Sequence, residues 1–220
     1  MSLVRRPALL LALLLATTDH GSHRHAADQD SDPREEELRA RLEEDPNDTV
    51  AFNELAEIVR RHGSQVRAAD PLTADVPQSD PRSADLAVWA LAEELAGRPN
   101  AWYPLIELAR LSVEDDLDGA NRRLGAACAR EETGLALAES LWVLRESGHP
   151  THAHALATAH WDAERHVPAA GRQIVLAAIE SERYEDAERY LELIGAREDE
   201  ESAAAVTELR SVLGDARPQR

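Results

Sequence analysis

Three stretches of this chain repeat one another, and their spacing limits the fold more than any other feature. Trp102, Leu105, Ile106 and Ala109 are followed by Ala120, Leu124 and Ala127. Leu137, Leu141 and Leu144 lead through Gly148 to Ala153 and Ala157, and Ile174, Val175 and Ala178 lead to Ala187, Leu191 and Ile194. The leading positions Trp102, Leu137 and Gly171 stand 35 and 34 residues apart. Within each stretch the apolar residues recur three and four positions apart, the spacing of one helix face, so each unit reads as two helices joined by a turn. A pair this small cannot bury its apolar stripe alone and has to stack on the pairs before and after it.

Composition agrees with an all-α chain. Alanine, leucine, glutamate and arginine dominate, aromatic residues make up only 4%, and β-branched runs are scarce, so helix is favoured over strand throughout. With 220 residues the chain suits one repeat array plus an appended segment. The helical pattern begins at Pro33 behind Asp32, with Glu35, Glu36 and Glu37 where negative charge favours a helix start and Leu38 and Leu42 as its stripe. A second helix starts near Asn47 or Asp48, carries Phe52, Leu55, Ala56 and Val59, and is expected to stop at Gly63. Phe52 lies 50 residues before Trp102, one repeat plus a surplus. The surplus is the stretch with Pro71, Pro77 and Pro81, which forbid a continuous helix. A flexible insertion over about 64–80 is expected in the first hairpin, with the return helix at Ser83 to Leu95 carrying Ala84, Val88 and Leu91. The helical domain is expected over 32–213, ahead of a tail at 214–220.

The period, and the order of large, small and alanine positions, resemble the tetratricopeptide repeat, a Trp, Leu-Gly and Tyr helix followed by an Ala, Phe and Ala helix. The resemblance covers roughly 47–195, about four units. It is degenerate: Ala56, Ile106, Leu141 and Val175 replace the glycine of the first helix, and Leu137 and Gly171 replace the leading tryptophan. Wider side chains at that close contact push paired helices apart and alter the superhelical twist. The resemblance implies a right-handed solenoid of antiparallel helix pairs, whose concave face, lined by first helices, holds a peptide or a helix.

In register, Arg60, Arg110 and Arg145 take equivalent places, with Glu57, Glu107 and Trp142 about one turn earlier. Such an arginine row suits a carboxylate-rich segment, although Glu57 and Glu107 are also placed for ordinary pairs within their own helices. Together with Tyr103 and Arg172 these make the expected partner-binding set Arg60, Tyr103, Glu107, Arg110, Trp142, Arg145 and Arg172. Trp161 is expected between hairpins instead. The family's lysine and asparagine clamp for carboxyl termini is replaced by Asn53, Tyr103 and Ala138, which disfavours a chaperone-tail receptor.

Asp and Glu number 42 against 24 Lys and Arg, a net charge of -18 that repels phosphate backbones and anionic lipid, so no nucleic-acid partner is expected. The lone Cys128 excludes an internal disulfide and, beside Ala126 and Ala127, reads as a small buried side chain. No Gly-rich phosphate loop, nucleophile elbow or histidine-glutamate zinc motif occurs, so neither catalysis nor a cofactor is expected. Residues 1–31 are a different material, expected to be disordered. Arg5 and Arg6 precede an apolar run from Pro7 to Ala16 that resembles a secretory signal but lacks a good cleavage site. A cytoplasmic location is slightly favoured over export or anchoring by that run. His20, His23 and His25 could capture a transition metal weakly, as could His149 with His152, but no shaped metal site is expected. The main reading is a non-catalytic protein-binding scaffold. The alternatives are a self-associating or envelope-anchored structural protein and, further off, an exported metal-binding protein.

Overall fold

In a computed structural model the described residues are 32–68 and 81–217. Among them there are ten helices and no strand: α1 Pro33–Glu44, α2 Thr49–Ala68, α3 Pro81–Ala96, α4 Tyr103–Ser112, α5 Leu117–Arg130, α6 Leu135–Glu146, α7 Pro150–His160, α8 Pro168–Glu180, α9 Tyr184–Gly195 and α10 Glu200–Ala216. The leader, its apolar run and the His20, His23 and His25 group lie outside the described residues.

Local chemistry fixes the helix ends. The Asp48 carboxylate accepts the Ala51 amide at 2.9 Å to start α2, Asp116 accepts Gly119 N–H at 2.8 Å to start α5, and Asp199 accepts Ser202 N–H at 2.7 Å to start α10. Proline occupies the first turn of α4, α7 and α8, where its missing N–H costs nothing. Two turns between paired helices share one hydrogen-bond pattern. At Gly148, φ +78°, the His149 amide reaches Leu144 O and the Gly148 amide reaches Arg145 O; at Glu182, φ +60°, Arg183 reaches Ala178 O and Glu182 reaches Ile179 O.

Two expectations are corrected here. Gly63 does not stop α2, which runs on to Ala68, so 64–68 of the expected insertion are helix and only 69–80 lie outside the described residues. A Cβ at Gly63 would stand 3.1 Å from Ser83 O and 3.2 Å from Ala87 Cβ, so this glycine admits close approach of α3 rather than ending a helix. At the other end, α10 continues past 213 to Ala216, because Leu213 is buried and holds the last turn down.

The helices pair as α2 with α3, α4 with α5, α6 with α7 and α8 with α9, and α10 lies on α8 and α9. Next-but-one neighbours also touch: α4 with α6, α6 with α8, α8 with α10, and α5 with α7. Leu38, Leu42, Phe52, Leu55, Val88 and Leu91 form the core at the amino-terminal end, and a second core runs from Ile106 through Leu137, Leu141 and Ile174 to Leu209. Trp102 and Leu105 pack against both, which makes the interior continuous. Helices as short as α1 are marginal in water. Complete burial of Leu38 and Leu42, worth roughly 1.5–3 kcal/mol each, is what holds it.

A recurring arginine ties the ends of the return helices together. Arg98 Nη1 donates to Leu42 O at 2.9 Å and Glu43 O at 2.6 Å, and Arg130 Nη1 donates to Ala96 O, Arg98 O and Ala101 O at 2.7 to 3.1 Å. Arg197 Nη1 does the same for Ala163 O and His166 O. Carbonyls at a helix end or in the turn after it thus find a donor from the next hairpin. Between α5 and α7 a backbone bond, Val167 N–H to Thr133 O at 2.8 Å, takes that place.

Candidate interaction face

The first helices α4, α6, α8 and then α10 touch in succession, and side chains reach from each to the next. At the amino-terminal end, Asn53 of α2 donates to the Tyr103 hydroxyl of α4 at 3.1 Å. Tyr103 is only 5% exposed, edge-on to Phe52 with ring centroids 5.4 Å apart, and burial, reinforced by the Glu107 charge, pushes its hydroxyl up to about 12. It is a core residue. That corrects its expected place in the partner-binding set: the ring fills the seam between α2 and α4.

Glu107 is buried and accepts Arg110 Nε–H at 3.2 Å, which turns the guanidinium over Trp142, 4.8 Å from the ring centroid. Arg145 crosses from α6 to α8. Its Nε donates to Glu180 at 2.8 Å, Nη2 also meets the Glu180 carboxylate, and Nη1 donates to Gln173. Arg172 crosses from α8 to α10, where Nη2 donates to Glu208 at 2.7 Å. This bond holds the Glu208 carboxyl below its usual range and raises Arg172. Arg60 folds back onto Glu57 of its own helix at 2.8 Å.

The arginine row is therefore present in sequence but engaged in structure. Arg60, Arg110, Arg145 and Arg172 each hold a carboxylate of the same chain. Equivalent places do not mean equivalent roles. Arg60 keeps a water-exposed pair within one turn, whereas the Arg145 side chain is 11% exposed and braces two helices. Beside these ion pairs two large apolar side chains also reach solvent: Leu135 at 48% and Trp142 at 39%, two turns apart on α6. Glu139 and Glu146 flank Trp142 on the same helix, and neither has an ion pair among the described residues.

Other candidates fall elsewhere. Cys128 is buried with its thiol 3.7 Å from Ser140 Oγ, and burial pushes it up to about 11, far from a reactive thiolate. Trp161 lies edge-on to Tyr190 at 5.4 Å, between the α6–α7 and α8–α9 pairs. His149 and His152 stack edge to face at 5.8 Å, and among the described residues no three histidine, cysteine, aspartate or glutamate side chains are grouped to hold a metal ion. Among those residues, too, no helix is long and apolar enough to cross a membrane. Sequence reasoning passed over the seam between α7 and α9. There His154 Nε2 lies 3.5 Å from Asp186 Oδ2 and 3.4 Å from the Tyr190 hydroxyl, and the signal was a histidine on an alanine-lined face. Set against known proteins, the chain matches no family model, no curated protein and no solved structure, so the likeness to tetratricopeptide repeats rests on its own residues.

Proposed function

We propose that the chain is a non-catalytic protein-interaction scaffold, a right-handed solenoid of tetratricopeptide-like helix pairs that holds a peptide or helix of a partner protein along its first helices. The contacts between next-but-one helices support the stacking, since a repeat array is held together by nearest-neighbour interfaces. The observation that carries the binding role is Trp142. A tryptophan left 39% exposed in the middle of this row, with Arg110 over its ring, is a large rigid surface already oriented for contact.

The pairings change the kind of ligand this face suits. Its arginines already hold their own carboxylates, so an acidic segment would have to displace Glu180 or Glu208 to reach them. Apolar contact with Trp142 and Leu135 supplies the binding free energy instead, and added salt weakens the complex little. The test begins with capture of the partner by the intact chain. Binding by folded Trp142→Ala is then expected to fall by on the order of 2 kcal/mol with the circular dichroism spectrum unchanged. A lower melting temperature with unchanged affinity of the folded fraction would make Trp142 a structural residue and remove the reading.

A further inference from the structure

A second surface, independent of the first-helix row, lies between α3 and the turn joining α4 to α5. It is a cleft of about 370 Å³ lined by Arg82, Asp85, Leu86, Trp89, Leu111 and Asp115. Its floor is apolar. Leu86 is 67% exposed, more than any other large apolar side chain among the described residues, and Trp89 follows it one turn later on the same face of α3. The Trp89 ring is already set in place by Arg123, whose guanidinium lies 5.1 Å from the ring centroid while Nη1 donates to Ser112 Oγ at 3.1 Å. The cleft therefore offers a fixed aromatic wall beside an uncovered leucine. At this volume it is near the lower limit of ligand cavities, with room for one or two side chains rather than a whole helix.

Charge identifies the occupant. The turn reads Val113-Glu114-Asp115-Asp116; Asp116 is used to cap α5, but Glu114 and Asp115 are exposed, and so is Asp85 on the opposite wall. None of these three carboxylates has a salt bridge among the described residues, in contrast to the engaged carboxylates of the first-helix row. Arg82 lines the cleft too, so its rim sets one guanidinium against Asp85 and Asp115, with Glu114 beside Asp115; this excess of carboxylate around an apolar floor, in a chain of net charge -18, favours a cationic segment over an acidic one. We infer that this cleft is a docking site for a linear segment of a partner protein in which leucine or phenylalanine stands beside lysine or arginine. The apolar side chain enters between Leu86 and Trp89, and its basic neighbour meets Asp85 and Asp115.

The test pans short random peptides displayed on phage against the full chain, then measures the enriched peptides by fluorescence anisotropy. Enriched sequences are expected to join leucine or phenylalanine to a basic residue. They should bind on the order of tenfold more weakly to Leu86→Ser and to the double variant Asp85→Asn, Asp115→Asn. All three positions are exposed, so circular dichroism should show the variants folded. Trp142→Ala should leave this binding unchanged, which separates it from the first-helix row. Acidic or purely apolar enriched sequences, or equal binding by the cleft variants, would overturn the assignment. So would a dimer in light scattering that Leu86→Ser abolishes, since a second copy would then fill the cleft. Binding that develops only after 69–80 are replaced by a Gly-Ser linker would likewise overturn it, by making the chain itself the occupant.

Discussion

Glu182 occupies a backbone position that its counterpart one repeat earlier gives to glycine, and exchanging it should stabilise the protein. Both residues follow the first helix of a hairpin, both have positive φ, +60° at Glu182 and +78° at Gly148, and both are closed by the same two amide-to-carbonyl bonds. A side chain in the left-handed region costs about 1–2 kcal/mol through contact of Cβ with the following carbonyl. Glycine avoids this but gives up roughly 0.5–1 kcal/mol more backbone entropy on folding. Taken at the middle of each range, the difference favours Glu182→Gly by about 0.8 kcal/mol, and no hydrogen bond or ion pair of the Glu182 carboxylate among the described residues offsets it. For a chain of this size that corresponds to a rise of about 1–4 °C in melting temperature. Urea titration should show a higher midpoint with unchanged slope. Glu182→Ala, which keeps Cβ, should give no such gain. Gly148→Ala supplies the reciprocal test, because nothing lies within 4 Å of the added Cβ and its cost is purely that of the backbone. A lower midpoint for Glu182→Gly, or a neutral Gly148→Ala, would refute the reasoning.

Arg145→Ala should cost about 1–2 kcal/mol in urea titrations, since its guanidinium bridges α6 to Glu180 and Gln173 of α8; the partly exposed Glu180 keeps the figure from being larger. Arg60→Ala at the equivalent place should cost only a few tenths, and equal costs would deny the difference in role. Burial holds His154 below its ordinary value of 6.5, with Asp186 opposing the shift and Arg183 and Arg189 adding to it. The unfolded chain then binds the proton more readily, so the stability linked to this group is complete above about pH 6.5 and declines as pH falls toward the lower folded value. His154→Gln should flatten that part of the stability curve relative to the parent, and an unchanged slope would show that His154 does not couple to folding.

What the sequence made legible was local. The helix start at Pro33, a second start near Asp48 and the turn at Gly148 are decided within a few residues, and the structure has them where the pattern puts them. The buried positions Leu137, Leu141, Ile174 and Leu191 follow from periodicity for the same reason. What stayed hidden depends on residues far along the chain, on other helices. Gly63 reads as a stop until α3 is seen against it. Arg145 and Arg172 read as ligand-binding charges until Glu180 and Glu208 are found on the next first helix, 35 and 36 residues on. Tyr103 joins the expected partner-binding set because its place in the sequence does not reveal the Phe52 edge that buries it. The arginines at 98, 130 and 197 were in plain view, but their acceptors are backbone carbonyls, which no side-chain pattern announces.

The binding role of the first-helix row is tested most directly by placing a photo-crosslinking phenylalanine analogue at Leu135 or Trp142 and, in a parallel protein, at Leu193, which is 43% exposed on the return helix α9. Irradiated with the captured partner, the chain is expected to form a covalent adduct from positions 135 and 142 and none from 193. Adducts from 193 alone would contradict the account and put the partner on the return helices.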